Sequence, residues 1–207
     1  MTASISRWVR RAGLIVAVGL ATGALTQVGQ SVLPAGWSQA ANAMSPWLLV
    51  AFLLGSVMPD RRWAATAGIA ALLLSLVGYD LMIELRYGYG DGRGSLLLWG
   101  TGALIGGTVF GVAGRWWRVG QPWQTAAAIG LLAAVFVAEG IYQMRIQPDA
   151  AVGAGFVIVG LVVPLVFARS RDERLRGYLA LLPALVLGLI GFVGLLLFAD
   201  LSAGVAA

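Results

Sequence analysis

The chain of 207 residues contains no cysteine, no histidine and no lysine. Without cysteine there is no disulfide to staple its outer loops and no thiol chemistry. Without cysteine or histidine there is no Cys/His zinc site, no haem held by histidine and no Ser–His catalytic pair. The sequence therefore points to no catalytic residue, no metal and no cofactor, and we expect no enzyme. Charge is also scarce. Only 11% of residues are charged and 59% are hydrophobic, with a mean hydropathy of +0.87. That composition belongs to a polytopic membrane protein rather than a soluble domain. Several separate apolar runs leave little room for anything else, so a single transmembrane domain over residues 1–207 is expected, with the lipid bilayer as its first partner.

All 14 basic residues are arginine, which suits a GC-rich bacterial genome. A net charge of +5 and a pI near 10.4 would suggest nucleic acid in a soluble protein. Here the arginines mark cytoplasmic loops, and no nucleic-acid partner is expected. The apolar runs predict an all-α transmembrane bundle of seven helices, over about 8–30, 46–58, 63–85, 95–113, 122–143, 151–168 and 178–198. With the N-terminus inside and the C-terminus outside, eleven arginines fall in cytoplasmic loops and only Arg86, Arg93 and Arg145 fall outside. That bias follows the positive-inside rule at every loop and places the chain as a multi-pass protein of a bacterial inner membrane. Ala41, Asn42 and Ala43 form an A-x-A pattern, but too far from the first apolar run to cleave a signal peptide, so the first helix is read as retained. The second helix is short for a span of about 20 residues. The uncharged segment 31–44, with Pro34, Gly36 and Trp37, is read as an outer loop near the interface.

The third helix carries the polar residues that organise this reading. Tyr79, Asp80 and Glu84 lie near its far end, and a carboxylate inside the bilayer faces protein or water and marks a functional site by default. At about 1.5 Å per residue, Asp80 lies roughly 26 Å from Trp63, and Glu139 lies roughly 24 Å from Trp123. Against a hydrocarbon core of about 30 Å, both sit just inside one boundary. Asp80 and Glu84 share a helix face by their spacing of four, as do Glu139 and Gln143, with Tyr142 close by. The first helix turns polar at the same level with Gln27 and Gln30. We therefore expect an outward-facing polar pocket lined by Asp80, Glu139, Tyr79 and Tyr142, with Glu84, Gln27 and Gln30 at its rim. The competing reading gives Asp80 and Glu139 a structural role, bonding to neighbouring helices, and leaves Glu84 in water among headgroups.

Helices one, three and five each begin at a tryptophan (Trp8, Trp63 and Trp123) and end polar. Helices two, four and six return to arginine. The layout fits three helical hairpins plus one extra helix, although any multi-pass chain shows part of it. Gly19 with Gly23, Gly102 with Gly106 and Gly107 with Gly111 are GxxxG pairs that let helix backbones approach closely. Gly88, Tyr89, Gly90 and Asp91 spell the GxGD of intramembrane aspartyl proteases. Asp91 falls in a glycine-rich loop, eleven residues from Asp80, which argues against a shared-proton dyad. The cluster from Arg169 to Arg176 is read as a topology-setting loop, with anionic headgroups or a cytoplasmic partner as the alternative.

Several stretches together resemble a family of roughly 200-residue, mostly actinobacterial, integral membrane proteins known only as a domain of unknown function. They are Leu25–Thr26–Gln27 with Gly29–Gln30–Ser31, Pro46 to Phe52, Gly78–Tyr79–Asp80, Gly114 to Trp117, and Ala138 to Tyr142. The resemblance covers nearly the whole chain and implies no activity and no catalytic residues. The plan is also similar, more distantly, to the substrate-binding components of energy-coupling-factor vitamin transporters. Those have six helices rather than seven. The expected function is to bind, or help to move, a small polar or cationic solute. The alternatives are a structural or accessory subunit whose small-residue faces pack on a membrane-protein partner or a second copy, and an intramembrane aspartyl hydrolase.

Overall fold

A computed structural model describes residues 2–88, 93–146 and 150–205. Among these residues the chain is helical throughout, with no strand. It forms α1 (Thr2–Val32), α2 (Ala35–Ala41), α3 (Met44–Ser56), α4 (Arg61–Tyr87), α5 (Arg93–Val119), α6 (Pro122–Ile146), α7 (Ala150–Phe167) and α8 (Arg171–Val205). All seven expected helices are present, and α2 is an additional short one inside the segment read as a loop. Six helices, α1 and α4 to α8, are long and apolar enough to cross a membrane. The exception is α3, which the sequence already marks as short. Its 13 residues extend about 20 Å, less than a hydrocarbon core of about 30 Å.

Capping residues set several boundaries. The Asp60 side chain accepts a hydrogen bond from the Trp63 N–H at 3.0 Å, which starts α4 at Arg61, two residues before the expected start. Gly88 ends α4 in the left-handed region (φ 76°), its N–H donating to the Glu84 carbonyl at 2.9 Å. Ser170 and Glu173 form the S-x-x-E pattern of a helix start. The Ser170 Oγ accepts from the Glu173 N–H at 3.1 Å, and Glu173 Oε2 accepts from the Arg169 N–H at 2.8 Å. The charged cluster is therefore mostly the first turns of α8 rather than a loop. Likewise α5 continues through Arg115–Arg118, because nothing breaks it before Gly120 and Pro122.

The chain divides into two compact units, residues 1–34 with 46–115 and residues 35–45 with 116–207. In the first unit glycine decides the packing. A Cβ on Gly23 of α1 would meet the Ser75 carbonyl of α4, and one on Gly78 of α4 would meet the Leu20 carbonyl of α1. The pairings 19 with 71 and 74, then 23 with 75 and 79, make α1 and α4 parallel. Gly68 against Gly107 and Gly111 against Ala64 join α4 antiparallel to α5. Backbones this close gain dispersion contacts that lipid cannot supply better, which is what a small-residue face provides in a membrane. The 102/106 pair divides in its use. Gly106 faces Leu48 and Leu72, whereas Gly102 has open space around it.

In the second unit α6 is the central helix and is mostly buried. It packs antiparallel on α7 through Gly140 against Gly153, and parallel to α8 through Gly130 against Ala180 and Ile129 against Gly177. The first unit thus holds α1, α4 and most of α3 and α5, and the second holds α2, α6, α7 and α8. At the other end of this unit the Arg169 guanidinium donates to the Trp117 and Arg118 carbonyls, at 3.0 and 3.4 Å, and stacks on the Trp117 ring. It satisfies acceptors left open at the end of α5.

Candidate polar sites in the two units

The polar end of α6 holds Glu139, Tyr142 and Gln143. Glu139 is only 2% exposed. Its Oε1 accepts a hydrogen bond from the Met44 N–H and its Oε2 one from the Ser45 N–H, each at 2.7 Å. These are the first two residues of α3, whose opening N–H groups have no partner within the helix. A carboxylate some 95 positions away in the chain therefore does the work of an N-cap, with both oxygens engaged. Bonds of this length to a carboxylate are the charge-assisted kind, and the helix end carries about half a positive charge. The sequence singled out Glu139 but missed its partners, because backbone N–H groups leave no mark in residue identity. A pointer was present: Pro46 two residues after Met44 suits the first turn of a helix, which needs an acceptor.

One turn beyond Glu139, Gln143 is also buried, and its side-chain Oε1 has no hydrogen-bond partner among the described residues. Tyr142 is half-buried and Arg145 is exposed. No ion pair reaches Glu139 among the described residues; the pair found is Arg176 with Asp172 at 2.8 Å, both on α8.

The polar end in the first unit is built differently. Thr26 and Gln27 are buried on α1. The Trp47 indole Nε1 donates to Thr26 Oγ1 at 2.9 Å, and the Trp47 ring meets Tyr79 of α4 edge-on at 6.3 Å. Gln27 lies one turn beyond Gly23 on the face of α1 that packs on α4, and its Oε1 lacks a hydrogen-bond partner among the described residues. Asp80 and Gln30 are half-buried, whereas Glu84 is exposed. Arg86 on the last turn of α4 donates to Ser31 Oγ on α1 at 2.6 Å. The structure thus brings Tyr79 to the Thr26–Trp47 pair, two residues that the sequence argument did not select. Asp80 belongs to the first unit and Glu139 to the second. Tyr89, Gly90 and Asp91 of the GxGD pattern lie outside the described residues, as do 147–149 of the expected loop after α6. No cluster of three or more acidic residues that could hold a metal occurs among the described residues.

The fold and these polar helix ends define the class: a multi-pass α-helical membrane protein. The chain belongs to a family of unknown function, DUF6518, matched over residues 2–198. It matches no curated protein and no solved structure.

Proposed function

We propose that this protein binds, or helps to move, a small polar or cationic solute through the polar ends of its spans, without chemistry of its own. One observation carries the reading. Gln27 Oε1 and Gln143 Oε1 are each buried among apolar helices, and neither has a donor among the described residues. A buried polar atom left unpaired costs about 1–3 kcal/mol, so such an atom calls for a partner. Both atoms are acceptors; Ser45 Oγ, on the residue whose N–H bonds Glu139, is buried and unpartnered as well and can donate or accept. The missing partner is then a donor or a positive charge, as an ammonium, a hydroxyl-rich molecule or a metal cation would provide. An inner bacterial membrane is the location proposed by the arginine distribution.

Thermal unfolding of the purified full chain against a panel of amines, polyols and inorganic cations tests this. Members of the right class raise the midpoint. Gln27→Leu and Asp80→Asn remove the response to a solute held in the first unit, and Gln143→Leu removes it in the second. If no panel member shifts the midpoint and the chain co-purifies with another membrane protein, the accessory-subunit reading takes its place.

A further inference from the structure

We infer that the polar end of α6 holds a small monovalent cation between the Glu139 carboxylate and the side-chain oxygen of Gln143. The inference rests on the reading above for its acceptor surplus and goes beyond it in naming the charge and the residues. Glu139 and Gln143 are four apart, so they occupy one face of the helix, one above the other. Both are more than nine-tenths buried, and the Gln143 oxygen has no partner among the described residues.

Charge decides the class of ligand. Glu139 contributes one negative charge, and the start of α3 offsets about half of it. Nothing else described on the packed elements completes the balance. α2, α3 and α7 carry no charged residue. Arg171, Arg174 and Arg176 of α8 lie in its first two turns. There α8 is level with Ile129 of α6, ten residues and about 15 Å along the axis from Glu139. Arg145, the basic residue of α6 itself, follows Gln143 by two positions, about 200° further round the helix, and is exposed. A buried carboxylate so placed is short of roughly half a positive charge, and a neighbouring amide oxygen is short of a donor. A compact monovalent ion gives both oxygens a positive partner and leaves an excess of only about half a charge, whereas a divalent ion would leave about one and a half in an apolar surrounding. An anion is excluded, because Glu139 already occupies the helix end that would attract one.

The test uses the full chain in detergent, purified in choline chloride. Sodium, potassium and lithium chloride are titrated at constant ionic strength while thermal unfolding is followed. At about a hundred times the dissociation constant, the preferred ion raises the midpoint by roughly 5–10 °C, saturably. Gln143→Leu loses that rise yet is more stable than the parent in choline, because it deletes an unpaired buried oxygen. Gln27→Leu, in the other unit, keeps the rise. The inference is overturned if the parent shows no alkali-ion response, or if Gln143→Leu responds as the parent does. It is also overturned if stability in choline follows pH while alkali ions do nothing, since a proton is then the missing charge. Glu139→Gln need not fold for this outcome to be read. The organic panel run in parallel separates the two proposals. A solute response lost in Gln27→Leu without any ion response removes the cation alone. An ion response without any response to amines or polyols upholds the cation and overturns the wider reading for organic solutes.

Discussion

The two units solve the same problem, polar groups at membrane depth, by different means. In the second unit a buried carboxylate takes two backbone N–H groups at 2.7 Å, so a charge fixes the start of a helix. In the first unit a neutral pair, Trp47 on Thr26, is held between helices that glycine has already brought together. Charge-assisted bonds are about twice as strong as neutral ones, but they strand more when a partner is removed. The second polar end is accordingly the stiffer and more brittle of the two, and the first owes its order to backbone packing.

Glu139→Ala sharpens this contrast most. It leaves the Met44 and Ser45 N–H groups buried without acceptors, and we expect a loss of about 3 kcal/mol or more. Urea or thermal unfolding in detergent reads it. Because the chain has no cysteine of its own, Ser38→Cys reports on the same event through its labelling rate, which rises sharply when it is combined with Glu139→Ala. A loss under about 1 kcal/mol with unchanged labelling means that Glu139 does not fix this segment. Gly23→Leu comes second. Its side chain would meet the Ser75 carbonyl across the α1–α4 contact, an overpacking worth about 2 kcal/mol. Trp47→Phe is milder, about 1 kcal/mol, because only one neutral hydrogen bond is lost and the ring still packs on Tyr79. Should Trp47→Phe cost more than Gly23→Leu, the first unit is ordered by its polar pair and not by its glycines.

Much of this was legible in the sequence. The apolar runs and the arginine spacing placed every long helix, because the length a bilayer demands and the penalty for burying arginine are both written in composition. The GxxxG glycines of α1 and α5 were legible as packing faces, whereas Gly68 and Gly78 of α4 were not picked out. At the polar ends the reading was less complete. Glu139, Gln143 and Gln27 stand out as polar residues in apolar runs, and each proves to be buried. The partner of Glu139 is backbone, which residue identity does not encode. Trp47 was given no role, since an indole N–H carries no indication of which hydroxyl it will find. The start of α8 was written as S-x-x-E but was hidden among charges that suggest a loop.

That helix start offers the smallest expected effect, and it tests where the contrast between charged and neutral fixation stops. Asp172 and Arg176 form an i,i+4 pair at 2.8 Å with both side chains at least half exposed. In water such a pair contributes about 0.3–0.5 kcal/mol and is screened by salt. Asp172→Asn should therefore change the unfolding midpoint by less than 2 °C, and the difference should vanish in high salt. Glu139, out of water and bonded to backbone, should show no such salt dependence when its variants are compared with the parent. If Asp172→Asn costs as much as Trp47→Phe, the end of α8 is not solvated as its exposure implies, and the brittleness assigned to the buried carboxylate is a property of charge in this chain generally rather than of its depth.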